Sequence, residues 1–181
     1  MQGRKKIILG SNSPRRRELL AGLRLDFTVD TGNSFVESSE PGADPHQVPV
    51  DMSLGKSHGF HRPLEDDEIL ITADTVVIIG GRVLGKPHSR EEAEEMLHAL
   101  SGKTHEVVTA VTLRDSSREK CFSVSTLVEF CRLEDAEIDS YIDNFRPYDK
   151  AGAYGVQEWI GYVGISRIEG SFYNVMGLPV H

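Results

Sequence analysis

Apolar positions along the chain follow two rhythms, short unbroken runs and stripes of helical spacing. Ile7-Ile8-Leu9, closed by Gly10, predicts a strand over 5–10. A helix should follow at once. Ser13 suits an N-cap, Pro14 a first helical position, and Leu19, Leu20 and Leu23 supply a buried face. A second strand is read at 25–30. Residues 31–50 hold Gly32, Pro41, Gly42, Pro45 and Pro49 and read as loop, with a short helix around 51–60. Ile69 to Ile79 is a long apolar stretch interrupted by Asp74-Thr75. Ser89-Arg90-Glu91-Glu92 has the form of a capping box. Ala93, Met96, Leu97 and Leu100 then recur at helical spacing, with Gly102 near the stop. Segments 105–114 and 120–131 read as paired strands. Ile138, Tyr141, Ile142 and Phe145 mark another helix, ended by Pro147. The glycine-rich remainder, 151–180, suggests short strands. Helices and strands mix without regular alternation. The expected class is α/β, with a mixed central sheet, flanking helices and two lobes around a cleft, all within one domain over 1–181.

Composition narrows the function classes. The chain has 181 residues, 39% hydrophobic and 27% charged, which suits one full core and is short for two. No apolar run approaches the roughly 18–20 residues that span a bilayer. Met1-Gln2-Gly3-Arg4-Lys5-Lys6 is basic, but only three apolar residues follow, so a secretory leader is not expected. A net charge of -8, from 20 basic against 28 acidic side chains, argues against a broad nucleic-acid surface and still allows a local basic pocket. Acidic runs at 65–68 and 91–95 read as solvated faces. Cys121 and Cys131 form neither a disulfide framework nor a zinc pattern and read as ordinary thiols of a reducing, cytoplasmic compartment.

Three places stand out chemically. In Ser11-Asn12-Ser13-Pro14-Arg15-Arg16-Arg17, three arginines crowd the positive end of a helix, which the macrodipole disfavours unless an anion binds there. Arg17 reads as a solvated member of the three. Asp74, inside an apolar strand, is costly to bury unless paired or metal-bound, and could hold a divalent ion or take a proton from water. In Asp149-Lys150-Ala151-Gly152-Ala153-Tyr154-Gly155-Val156-Gln157, small residues allow close backbone approach, and Gln157 offers both a donor and an acceptor to a base edge. Asp149 and Lys150 also suit an exposed ion pair, and Tyr154 a core position. Gly80-Gly81-Arg82-Val83-Leu84-Gly85-Lys86-Pro87 matches the spacing of a P-loop, but Pro87 stands where a magnesium-binding hydroxyl is required. Gly80-Gly81 reads instead as a hairpin turn, and Lys86 as a phosphate contact or a surface lysine. The seven histidines show no metal-ligand spacing, and His105 reads as a hydrogen-bonded turn residue.

Taken in order, Ser11-Asn12-Ser13-Pro14-Arg15-Arg16, Ala73-Asp74-Thr75-Val76-Val77, Gly85-Lys86-Pro87, Leu100-Ser101-Gly102-Lys103-Thr104-His105, Asp149 to Gln157 and the closing Gly170 to Pro179 resemble the successive signatures of Maf proteins. The resemblance spans nearly the whole chain. It implies a fold related to the inosine triphosphate pyrophosphatases. It implies hydrolysis of a nucleoside triphosphate, dTTP or UTP, between the α- and β-phosphates, with release of pyrophosphate and a requirement for Mg2+ or Mn2+. Asp74 then corresponds to the proton acceptor and Glu37 to a polar position of the cleft, while by their own chemistry the two carboxylates suit a hard divalent ion. Arg15, Thr75 and Gln157 match positions tied to substrate preference, and Ser11, Arg16, Lys56 and Lys86 match other polar positions. Glu158 replaces a common glycine, and Pro49 disturbs the helix expected before Lys56. The alternatives are a 7-methyl-GTP pyrophosphatase and a non-catalytic septum-formation regulator. No stable nucleic acid and no membrane partner are expected. A homodimer is compatible with the sequence, but no residue argues for it.

Overall fold

The computed structural model describes residues 5–38 and 42–181. Met1–Arg4 of the basic start and Pro41 of the loop lie outside them. The described strands are β1 (Lys6–Leu9), β2 (Phe27–Val29), β3 (Glu68–Ile79), β4 (Arg82–Leu84), β5 (Thr104–Arg114), β6 (Glu119–Phe130) and β7 (Ile165–Glu169). The helices are α1 (Pro14–Gly22), α2 (Gln47–His58), α3 (Arg90–Leu100), α4 (Asp135–Phe145), α5 (Trp159–Val163) and α6 (Phe172–Met176). The sheet is mixed, in the order β2-β1-β3-β5-β6-β7, with β4 beside β3. β1 runs parallel to both β2 and β3, while β4 and β7 pair antiparallel with β3 and β6. The class read from the sequence, α/β around a mixed sheet, is therefore observed.

The chain divides into two compact units. One comprises Met1–Asp74, Thr109–Val124 and Gly177–His181, the other Thr75–Val108 and Ser125–Met176. β3, β5 and β6 each contribute residues to both.

In the first unit, Ile8, Phe60, Leu64 and Leu70 form a buried apolar cluster. α1 starts as expected: Ser13 caps it by accepting the Arg16 N–H, and Pro14 needs no partner at that position. Leu19 and Leu20 are buried, but Leu23 is 44% exposed, because the helix stops at Gly22 and Leu23 serves as its C-cap. α2 begins four residues earlier than read, at Gln47 rather than 51. Pro49 is its third residue, within the first turn, where amide donors have no intrahelical acceptor, so it opens the helix rather than breaking it. The Asp44 carbonyl receives the N–H of Gln47 and Val48, and its carboxylate that of His46.

A polar seam ties α2 to the strands. Ser53 and Thr112 hydroxyls are 2.8 Å apart, the Thr72 hydroxyl donates to the Ser53 carbonyl at 2.8 Å, and Arg114 donates to Ser57 Oγ at 2.9 Å. Gly55 lets the 31–38 segment lie against this helix, since a Cβ there would overlap the Phe35 ring. The acidic run at 65–68 is only partly a solvated face. Glu68 is buried, accepting from Arg62 at 2.7 and 3.0 Å and from the Glu65 N–H at 2.9 Å. Those bonds hold its carboxyl down at about 2.

In the second unit, α3 packs on α4 through residues at helical spacing. Ala93, Leu97 and Leu100 are buried on one, Ile138, Tyr141 and Ile142 on the other. A fully buried leucine such as Leu97 contributes about 1.5–3 kcal/mol over an exposed one. Ser89 caps α3 by accepting the Glu92 N–H, while Glu92 turns back to the His88 N–H at 2.7 Å, one residue before the cap. Gly80-Gly81 forms the two-residue turn between β3 and β4, both residues left-handed, which disposes of a P-loop there. Arg146 ends α4 in a left-handed conformation just before Pro147. Past residue 151 the expected short strands reduce to β7 alone. α5, α6 and a 3-10 turn at Ala151–Ala153 take their place; at the turn, Gly152 and Ala153 adopt left-handed dihedrals that no strand accommodates. His105 lies on β5 rather than in a turn. It is buried with Tyr154 and Phe130, its Nε2 2.7 Å from the Tyr154 hydroxyl, and burial lowers its pKa to about 4. Tyr154 is a core residue.

Candidate active site

Six of the residues singled out by sequence fall in the first unit. Asp74 ends that unit's share of β3, half-buried rather than sealed. Its Oδ1 lies 2.6 Å from Lys56 Nζ, and the same ammonium is 3.1 Å from Glu37 Oε1. Side-chain exposure is 17% for both Asp74 and Lys56 but 58% for Glu37. The inner pair is therefore shielded, and its outer carboxylate reaches water. The cost of an aspartate within an apolar strand is thus offset by a cation delivered from α2. The seam at Ser53 and Ser57 fixes the turn that carries Lys56, and Asn33 Nδ2 donates to the Lys56 carbonyl at 2.5 Å.

Arg16 completes this group. Its Nε donates to the Gly177 carbonyl at 2.8 Å, and Nη1 donates to the Ala73 carbonyl at 2.9 Å and to Ser11 Oγ at 3.3 Å. Burial lowers its pKa, and the carboxylates of Asp74 and Glu37 act in the opposite sense, so their charges share one neighbourhood. Ser11 is buried and also accepts the Ser13 N–H. Arg15 is half-buried beside Arg16, and Arg17 is exposed, in line with its reading as a solvated residue. The helix-start arginines thus divide. Arg16 spends donors on the backbone, tying the start of α1 to β3 and to the closing motif.

Among the described residues, no three of His, Cys, Asp and Glu converge as a ligand set. Two carboxylates focused on one cation are nevertheless a suitable partial set for a hard divalent ion, which commonly takes one or two carboxylates and draws its other oxygens from phosphate and water. Glu37 and Asp74 fit that chemistry.

The second unit holds the remaining three. Thr75 follows Asp74 on β3 and is half-buried. Lys86 is exposed. Gln157 is half-buried, and its Oε1 is shut off from solvent with no hydrogen-bond partner among the described residues. Such an acceptor costs about 1–3 kcal/mol until something donates to it.

The sequence reading missed what surrounds Gln157. Lys150 is not part of an exposed pair. It is 7% exposed, with its ammonium 2.7 Å from Asp149 Oδ1 and 3.0 Å from Glu158 Oε1. Tyr141, read only as a core residue of α4, donates its hydroxyl to Glu158 Oε2. The one sequence signal was Glu158 itself, a charge amid small and apolar residues.

No helix among the described residues is long and apolar enough to cross a membrane. Cys121 and Cys131 are both free thiols.

Residues 6–181 match the family model described as Maf-like protein. A protein of Porphyromonas gingivalis named dTTP/UTP pyrophosphatase is 53% identical over 178 residues, covering 97% of this chain and 89% of that one. A protein of Parabacteroides distasonis with the same name is 50% identical over 175 residues, covering 97% and 91%. Among solved structures, the Ham1 protein of Staphylococcus aureus aligns with a TM-score of 0.48 at 15% identity, over 70% of this chain and 72% of that one. With the ordered motifs in place and the match running through almost every residue, the chain belongs to the Maf family.

Proposed function

We propose that this protein hydrolyses dTTP and UTP to the monophosphate and pyrophosphate. The observation that carries the reading is the Asp74–Lys56–Glu37 group beside Arg16, in a chain about half identical to proteins named for that activity. The chemical obstacle is water attack on a phosphorus screened by anionic oxygens. Arg15, Arg16 and Lys86 offset phosphate charge, and Ser11 holds the Arg16 guanidinium in place. Asp74 accepts a proton from the attacking water or orients it, and Lys56 fixes the carboxylate through Oδ1. Mg2+ or Mn2+, held by Glu37 and Asp74, supplies charge neutralisation of the triphosphate when bound.

The base is read in the second unit. Thymine and uracil present an N–H at ring position 3, and the buried Gln157 Oε1 lacks a donor among the described residues. Cytosine presents a lone pair at the same place and leaves the acceptor unmatched. Both units then serve one substrate as parts of one domain. A reaction on nucleoside triphosphates suits a cytoplasmic enzyme of pyrimidine-pool house-cleaning.

The test is pyrophosphate release from dTTP, UTP, CTP, GTP and 7-methyl-GTP by purified protein, with and without excess chelator. Expected are hydrolysis of dTTP and UTP ahead of the others, silence in chelator and recovery with Mg2+ or Mn2+. Preference for 7-methyl-GTP, or no turnover of any nucleotide, overturns the reading.

A further inference from the structure

The stretch that carries Gln157 has little regular structure to hold it. Gly152 and Ala153 are left-handed, and the next helix starts only at Trp159. Backbone bonds hold parts of it, Gly152 N–H to the Gly85 carbonyl and Glu158 N–H to the Gly155 carbonyl, and beside Gln157 one carboxylate with two partners adds to them. Glu158 Oε2 receives the hydroxyl of Tyr141, a fully buried residue of α4, and Oε1 faces Lys150 Nζ at 3.0 Å. The Tyr141 oxygen in turn accepts the Gly155 N–H at 3.0 Å. Three side chains crowd the face of Gly155. A Cβ there would stand 2.9 Å from Glu158 Cδ, 3.0 Å from Lys150 Cε and 3.1 Å from Gln157 Nε2. The Gln157 amide, the Lys150 stem and the Glu158 carboxyl therefore share one small space.

We propose that Glu158 is a positioning residue for base selection, stapling the 150–158 stretch to Tyr141 and Lys150 and so fixing where the Gln157 amide sits. The inference rests on the reading of Gln157 as the base contact. Charge-assisted bonds are the strong ones, and a buried ammonium needs its carboxylates. Without Glu158, Lys150 keeps only Asp149 among its described carboxylate partners. Tyr141 loses its acceptor, and the Gly155 amide loses an oriented phenol. A displacement of about 1 Å at a contact residue is enough to degrade recognition strongly.

The experiment compares kcat and KM for dTTP and CTP in wild type, Glu158→Gln, Tyr141→Phe, the double variant and Glu158→Gly, with thermal unfolding of each. Glu158→Gln is nearly isosteric and carries the test if Glu158→Gly does not fold. KM for dTTP should rise about five- to tenfold in Glu158→Gln, with kcat within about twofold and a reduced preference for dTTP over CTP. Tyr141→Phe should move the same quantities in the same direction, and the double variant should lose little more, because the two groups act through one bond. Unchanged KM and selectivity with only a lower Tm would make Glu158 a brace of the fold and overturn the proposal. Wild type without a dTTP preference over CTP would instead remove the base reading beneath it, an outcome visible before any variant is made.

Discussion

The charged group around Asp74 and the stretch around Gln157 solve the same problem, holding polar atoms still, by opposite means. In the first, every participant rises from a regular element or is bonded to one. Asp74 sits on β3, Lys56 on α2 and Arg16 in the first turn of α1, and backbone carbonyls of Ala73 and Gly177 anchor the guanidinium. In the second, the chain is irregular: a few backbone bonds such as Gly152 N–H to the Gly85 carbonyl hold it, and around Gln157 it leans on the side chains of Tyr141, Lys150 and Glu158. Charge on phosphate is the same in every nucleotide, so a stiff scaffold suits it. A base edge differs between substrates, and a side-chain staple can be altered one residue at a time. Substitutions in the first region should therefore change rate, and those in the second should change choice.

Asp74→Asn should lower kcat for dTTP by about 100-fold or more, the usual scale for losing an acid–base group, with circular dichroism and Tm close to wild type. Wild-type turnover in that variant would remove Asp74 from the chemistry and break the comparison at its centre. Arg16→Ala should lower kcat/KM for every triphosphate alike, by about tenfold or more. It should also destabilise the fold by about 1–3 kcal/mol, since the Ala73 and Gly177 carbonyls lose their partner. Arg17→Ala, by contrast, should stay within about twofold on both measures. Equal losses for Arg16→Ala and Arg17→Ala would show general electrostatics rather than a formed site. Gln157→Ala should reduce the dTTP-over-CTP ratio of kcat/KM about tenfold while leaving the response to added metal unchanged. An unaltered ratio would mean that the second region does not choose the base.

The smallest effect should come from an ion pair of the first unit that enters neither group. Arg62→Met should lower Tm by about 2 °C near neutral pH and leave selectivity alone. The folded Glu68 carboxyl is depressed from 4.5 to about 2. Its stabilising share is thus complete above pH 4.5 and is lost as pH falls toward 2. The Tm difference between wild type and variant should narrow over that window, and a difference that widens on acidification would contradict the assignment.

Much of this frame is written locally. Ser13-Pro14, Ser89 with its following glutamates and Gly80-Gly81 each signal an end or a turn within a few residues, and the structure uses each of them there. Asp74 betrayed itself by standing in an apolar run. The start of α2 was illegible because Pro49 suggests a break, and only the position of Asp44 makes it a helix opening. The staple at Glu158 was illegible for a different reason. Tyr141 lies 17 residues away on a helix whose period explains it completely as core, so nothing nearby hints that its oxygen has work to do. The pairing of Glu37 with Lys56 is likewise set by Phe35 lying over Gly55, a fit between surfaces rather than a pattern.

The bond from Arg16 to the Gly177 carbonyl spans 161 positions of sequence. The residues of β1 and α1 emerge early from the ribosome, yet the guanidinium lacks this anchor until residue 177 has also emerged. Closing so distant a pair is among the slow steps of folding. The anchor of Arg16 is thus completed late in synthesis, long after all three arginines have emerged.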